Sequence, residues 1–183
     1  MNKKLKISNN NFSLPPSQWI VNNLSQTNTS INLLDLACGA GRHSIYAAKI
    51  GHRVVSVDID KNKLTKLRDN KLINPIQMDI EKSNTWPFKK NIFETIIVTN
   101  YLYRPIFKYI LESINIGGKL LYETFTEENS VFGRPNNKNY LLKPQELLDY
   151  ALKNNFKIIS YEEIIISKSK QKKAVQRISA KKI

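Results

Sequence analysis

Short apolar runs alternate with polar, lysine-rich stretches along most of the chain, and the two kinds of run have different periods. "INLLDLA" (31–37), "RVVSVDI" (53–59), "PIQMDI" (75–80), "FETIIVTN" (93–100) and "KLLYETF" (119–125) are short and mostly apolar. Such runs, bounded by turn residues, read as strands. The stretches between them have helical spacing. In 41–50, Ile45, Ala48 and Ile50 fall near one side, and Gly51 supplies the stop. In 60–71, Leu64 and Leu67 face inward. A helix over 104–114 ends at Asn115 and Gly117-Gly118, one over 143–155 has Pro144 in its first turn, and a first helix spans 15–27. Two last strands, 156–166 and 173–182, leave no room for a crossover helix and are expected to pair as an antiparallel hairpin.

Strands alternating with helices in this way predict an α/β fold with a largely parallel sheet and helices on both faces. At 183 residues the chain fits one domain, expected over 15–183, with 1–14 as a flexible N-terminal segment. Hydrophobic residues make up 41%, no run is long enough to span a membrane, and the basic start lacks an apolar leader core. A cytoplasmic protein without membrane contact, a monomer or weak dimer, is expected. The single cysteine, Cys38, excludes an internal disulfide, and His43 and His52 lack metal-ligand spacing, so no metal is expected. The net charge of +14 invites an RNA partner. Lysines far outnumber arginines, however, and are scattered apart from "SKSKQKK" (167–173), which fits compositional drift and a solvated surface.

The densest chemistry lies in "LLDLACGAGRHS" (33–44). A strand carrying Asp35 ends in Cys38-Gly39-Ala40-Gly41, and a helix follows at once. In open parallel sheets ligands sit beyond the carboxyl ends of the strands. Glycine there lets backbone approach a ligand closely, and the next helix offers free N–H groups. A dinucleotide fingerprint would need a third glycine where Ser44 stands, and the Gly-Lys-Ser/Thr ending of a phosphate loop is absent. Two further acids end strands: Asp58, placed to hold ribose hydroxyls, and Asp79, placed to face the edge of a base.

Taken together, "LLDLACGAGRHS…GHRVVSVDID…IQMDI…FETIIVTN…IGGKLLYETF" resembles a class I S-adenosylmethionine-dependent methyltransferase, most closely the small single-domain tellurite-resistance type. The resemblance implies a Rossmann-like, doubly wound seven-stranded sheet of order 3-2-1-4-5-7-6, with strand 7 antiparallel. It also implies S-adenosylmethionine as cofactor. The turn Ala37, Cys38, Gly39 to Gly41 would pass under the methionyl part, and Asp35 would help bind its ammonium. Asp58 with Ile59 would take the ribose, Asp79 with Ile80 the adenine, and Asn100 would adjoin the methyl group. Ala37 stands where many members have glycine.

Methyl transfer from a sulfonium needs in-line positioning more than acid–base chemistry. Two segments are richer than structure requires. "NYLYRP" (100–105) offers Asn100 and Tyr101 as pocket walls, although it lacks both middle prolines of the Asn-Pro-Pro-Tyr sequence found in amino-methyltransferases. "TEENSVFGRPNNKNYLLKP" (126–144) is long for a loop and reads as a lid over the acceptor. Arg134 and Tyr140 are its acceptor-binding candidates, and Glu123 just before it is a candidate base or amine anchor. The acceptor is expected to be a small molecule. RNA- or ribosome-directed methyl transfer, and cofactor binding without catalysis, stand as alternatives.

Overall fold

The computed structural model of the chain describes residues 14–24, 30–82, 86–168 and 171–183. Seven strands form one sheet: β1 Asn32–Leu36, β2 Arg53–Asp58, β3 Ile73–Gln77, β4 Phe93–Thr99, β5 Ile114–Phe125, β6 Phe156–Lys168 and β7 Gln171–Lys182. Their order is β3-β2-β1-β4-β5-β7-β6. The pairs among β1 to β5 are parallel, whereas β7 runs antiparallel to both β5 and β6. This is the order the resemblance implied, with the terminal hairpin as expected.

The period of two along the strands decides which helix covers which face. Leu34, Leu36, Ile96, Val98, Leu120 and Tyr122 point to one side. They pack there against α4 (Phe107–Ser113) and α5 (Glu146–Lys153) through Phe107, Ile110, Leu111, Leu147 and Ala151. Leu33, Val54, Ile97 and Leu121 point to the other side. They meet α1 (Gln18–Asn23), α2 (Arg42–Lys49) and α3 (Lys61–Leu64) through Trp19, Ile20, Ala47, Ala48 and Leu64. The central strands are thus buried on both faces, as parallel sheets require.

Several boundaries differ from the sequence expectation. The first helix is shorter than 15–27, and 25–29 lie outside the described residues, as do all but the last residue of the expected flexible segment 1–14. The tip of the lysine-rich turn, 169–170, also lies outside them. On α2, Ile45 is 41% exposed, and the inward positions are His43, Ser44, Ala47 and Ala48. Polar partners at the head of this helix outcompete the apolar stripe. β5 begins at Ile114, before the glycine pair, and its register with β4 shifts between Phe93 and Thr95. α3 continues as a 3-10 turn over Thr65–Leu67, which buries Leu67 completely.

Candidate functional site

The same parity that sorts the core sets the site. Asp35 follows Leu33, Thr99 follows Ile97 and Glu123 follows Leu121 on the α1/α2 side. Each polar residue comes at the carboxyl end of its strand, where the apolar face gives way to the ligand end of the sheet.

Asp35 is fully buried beneath α2. Its Oδ2 accepts from the Ser44 backbone N–H (2.9 Å) and from Ser44 Oγ (2.6 Å), while Ser56 Oγ donates to Ser44 Oγ (2.7 Å). Asp35 Oδ1 makes no hydrogen bond to a described residue. Burial raises its carboxyl pKa to about 6, against the lowering effect of the Ser44 hydrogen bonds. Asp35 therefore staples the head of α2 from below, and Ser44 occupies the place of a third glycine because its hydroxyl completes that staple.

The turn after β1 is left-handed at Ala37 (φ 52°), Gly39 (φ 58°) and Gly41 (φ 74°). For alanine this conformation costs about 1–2 kcal/mol, which explains why glycine suits the first position. The Cys38 N–H donates to Val57 O (2.9 Å), tying the turn to the end of β2. The Cys38 side chain is buried in the core, and burial pushes its thiol pKa well above the usual range, so it is no nucleophile. Asp58 accepts from the Gly39 N–H at Oδ2 (2.7 Å) and from the Asp60 N–H at Oδ1 (2.9 Å).

A cleft of about 410 Å³ opens here, lined by Ala37, Asp58, Ile59, Asp79, Ile80 and Tyr101 together with Lys63, Met78 and Glu81. Asp79 Oδ1 accepts from the Glu81 N–H (3.0 Å). The cleft suits an adenosine with a charged tail: carboxylates stand at two strand ends, and Ile59, Met78 and Ile80 give it apolar flanks. Lys63, Met78 and Glu81 were not predicted, since their side chains reach the cleft from positions that no motif marks. Tyr101 lines this cleft and not the cavity under the loop 126–142. Burial, with the Glu81 carboxylate next, pushes its phenol above the usual range. Asn100 does not line the cleft: it is exposed and left-handed (φ 53°), and its N–H donates to Glu123 O (2.9 Å).

Glu123 is a structural ion-pair centre in this fold, not a free base. It is 1% exposed, accepts from Ser17 Oγ (2.9 Å) and Lys173 Nζ (3.2 Å), and lies 3.0 Å from Arg177 Nε. Ser17 is tied twice, since its N–H also donates to His43 Nε2 (3.1 Å), and His43 Nδ1 lies 3.4 Å from Thr99 Oγ1. The Ser17 bond places the ring proton on Nδ1. The segment before α1 is thereby strapped over the ends of β1, β4 and β5, with Arg42 donating to Pro15 O (3.4 Å). The sequence assigns His43 no metal role; its bonds to Ser17 and Thr99 emerge only when three distant segments meet.

Burial, then the Arg42 charge, lowers the His43 pKa to about 3. A depressed folded value stabilises the protein above the unfolded pKa and loses that contribution as pH falls. Between pH 7 and pH 5 wild type should lose about 2 kcal/mol relative to His43→Gln, taking 6.5 as the unfolded value. Asp35 acts in the opposite sense in both proteins, its stabilisation being lost as pH rises through about 6, so only the difference between the two isolates His43. Urea unfolding at both pH values measures it, and a constant difference would reject a buried neutral histidine.

The loop 126–142 is closed at its neck by a bridge between Thr126 and Leu142. Asn129 is buried and pins it to β7: Nδ2 donates to Pro135 O (3.0 Å), and Oδ1 accepts from the Ala174 N–H (3.2 Å). Arg104 holds the far end through Glu146 (2.6 Å) and Leu141 O (2.8 Å). The segment expected as a lid is therefore a fastened wall. Arg134 lines a cavity on its inner side, whereas Tyr140 is half exposed and lines neither that cavity nor the cleft. The structure separates these two candidates.

Residues 33–115 match the family described as Methyltransferase domain. Over 95 residues the chain is 33% identical to a Haemophilus influenzae protein described as a probable S-adenosyl-L-methionine-dependent methyltransferase, TehB, covering 47% of this chain and 33% of that protein. The chain thus spans about a third of the length of the curated relatives it matches. The crystal structure of TehB from Haemophilus influenzae superposes with a TM-score of 0.73 at 24% identity, covering 92% of this chain and 63% of that one. An S-adenosylmethionine-dependent methyltransferase from Mesorhizobium loti gives 0.71 at 15% identity, covering 90% and 96%; at these identities the likeness is one of fold. Among the described residues no group of His, Cys, Asp or Glu is placed to hold a metal, and no helix is long and apolar enough to cross a membrane. Residues 33–115 thus match a methyltransferase domain, within a fold shared with solved S-adenosylmethionine-dependent methyltransferases.

Proposed function

We propose that this chain transfers a methyl group from S-adenosylmethionine to a small-molecule acceptor. The observation that carries the reading is the cleft in which the left-handed turn at Ala37, Gly39 and Gly41 meets the Asp58 carboxylate. When bound, the cofactor supplies an electrophilic methyl group, and the protein's task is to hold and orient it. In this reading Asp58 accepts from the ribose hydroxyls while its other hydrogen bonds fix the turn. Asp79 and Ile80 bound the adenine, with Ile59 and Met78 as apolar flanks. The glycine turn leaves backbone close to the methionyl end. Asp35 acts from beneath, by holding the head of α2, and its remaining oxygen is available to a water or ammonium at the turn. The strap through Ser17 and His43 shields the ends of β1 and β4 from bulk water.

Titration calorimetry with S-adenosylhomocysteine tests this directly. One site per chain is expected, and Asp58→Ala should weaken binding by about 1–3 kcal/mol through loss of charge-assisted hydrogen bonds. Binding of NAD in place of S-adenosylhomocysteine would overturn the reading.

A further inference from the structure

The ligand end of the sheet holds a second hollow, on the α1/β7 side of the glycine turn. Its inner part, about 580 Å³, lies between the strap, Arg42, Glu123 and Arg177. Its outer part, about 740 Å³, lies under the loop 126–142 and is lined by Phe125, Phe132, Arg134, Lys172 and Lys173 among others. Ile166 and Lys173 line both parts, so the two adjoin.

Charge is distributed unevenly between them. In the inner part the acids are matched: Glu123 lies against Lys173 and Arg177, and Glu162 takes Arg177 Nη1 at 3.2 Å. The outer part has three cations in its lining and no acid. Arg134 and Lys172 form no ion pair with a described residue, and Lys173 alone is engaged, by Glu123. Asn129 fixes the loop to β7, so the backbone that carries Arg134 is held beside the strand that carries Lys172 and Lys173. Phe125 and Phe132 are partly buried and add aromatic surface beside the charges.

We propose that the outer cavity recognises the methyl acceptor and that the acceptor is a small organic anion, its carboxylate or phosphate held by Arg134, Lys172 and Lys173 and its apolar body lying on Phe125 and Phe132. The inference rests on the methyltransferase reading for the word acceptor. The volume is in the range of small-ligand pockets, roughly 300–1,000 Å³. A concave site bounded inwardly by Glu123 and Glu162 suits one anionic group better than a run of phosphates, which needs an extended basic stripe. With the anion at the rim, the other end of the molecule points along the inner part towards Arg42 and the glycine turn.

The full chain, with S-adenosylhomocysteine present, is titrated calorimetrically with phenylacetate, phenyl phosphate and neutral phenylacetamide. Both anions are expected to bind, and the amide more weakly by about tenfold or more. The tighter of the two anions identifies the acceptor's group as carboxylate or phosphate. Arg134→Ala with Lys172→Ala, both exposed positions, should weaken the anions by about tenfold or more and leave S-adenosylhomocysteine affinity within about twofold. Equal binding of the amide, unchanged anion binding by the double variant, or failure of both anions to bind overturns the proposal. Failure of both anions with salt-sensitive binding of a short RNA that the double variant loses assigns the rim to RNA instead. If the anions bind but S-adenosylhomocysteine does not bind wild type, the anion site stands and the methyltransferase reading falls.

Discussion

Glu123→Ala should destabilise the protein by about 3–5 kcal/mol, the usual cost of breaking a buried ion pair from one side. The carboxylate is almost wholly buried, and the Arg177 side chain beside it is only 15% exposed. Removing Glu123 leaves Arg177 desolvated with Glu162 as its one remaining carboxylate, and leaves Ser17 Oγ without its acceptor. The strap over the strand ends then depends on the Ser17–His43 bond and the long Arg42–Pro15 contact. Glu123→Gln keeps the shape and one acceptor oxygen, so it should cost less than the alanine variant. Urea unfolding of both variants checks the order. If neither changes stability but both abolish methyl transfer, Glu123 is a reacting group and the structural account is wrong.

Gly41→Ala should cost about 2–4 kcal/mol, against about 1 for Gly39→Ala, two residues away. Both glycines are left-handed, so both substitutions carry backbone strain. The difference lies in what the new methyl group meets. At Gly41 it would stand 2.5 and 2.6 Å from the two δ-methyls of Leu67, a fully buried side chain with little room to move. At Gly39 nothing lies within 4 Å. In a double-mutant cycle, Leu67→Ala should relieve part of the Gly41→Ala cost, so the combined loss falls short of the sum. Additive losses, or equal costs at the two glycines, would show that the close approach of the turn to α3 does not matter.

Much of the fold was legible because burial and periodicity are local signals. The strand runs carry apolar residues on both parities, which identifies a sheet covered on both faces, and the missing crossover before 173–182 identifies the hairpin. Helix faces were read less well. Ile45 was assigned inward by spacing, yet His43 and Ser44 take the inward positions because each satisfies a buried polar group on a strand. The candidate site divided along the same line. Ala37, Asp58, Ile59, Asp79 and Ile80 share one cleft, as their places at or just after strand ends lead one to expect. The surroundings of Glu123, Tyr101, Asn100 and Tyr140 are not legible in the same way, since nothing adjacent in the chain reports what stands opposite them.

The amino-acid sequence by itself determined the sheet, its terminal hairpin and the place of the glycine turn, because these follow from residue types at fixed short spacing. Only the tertiary structure decided which charges are spent and which are free. Glu123 is neutralised by Lys173 and Arg177, fifty and more residues away, whereas Arg134 and Lys172 line one hollow with no counter-charge among the described residues. Ser17, His43 and Thr99 join into one strap from three separate segments. Desolvation and ion pairing depend on distances across the fold, so no reading along the chain can assign them.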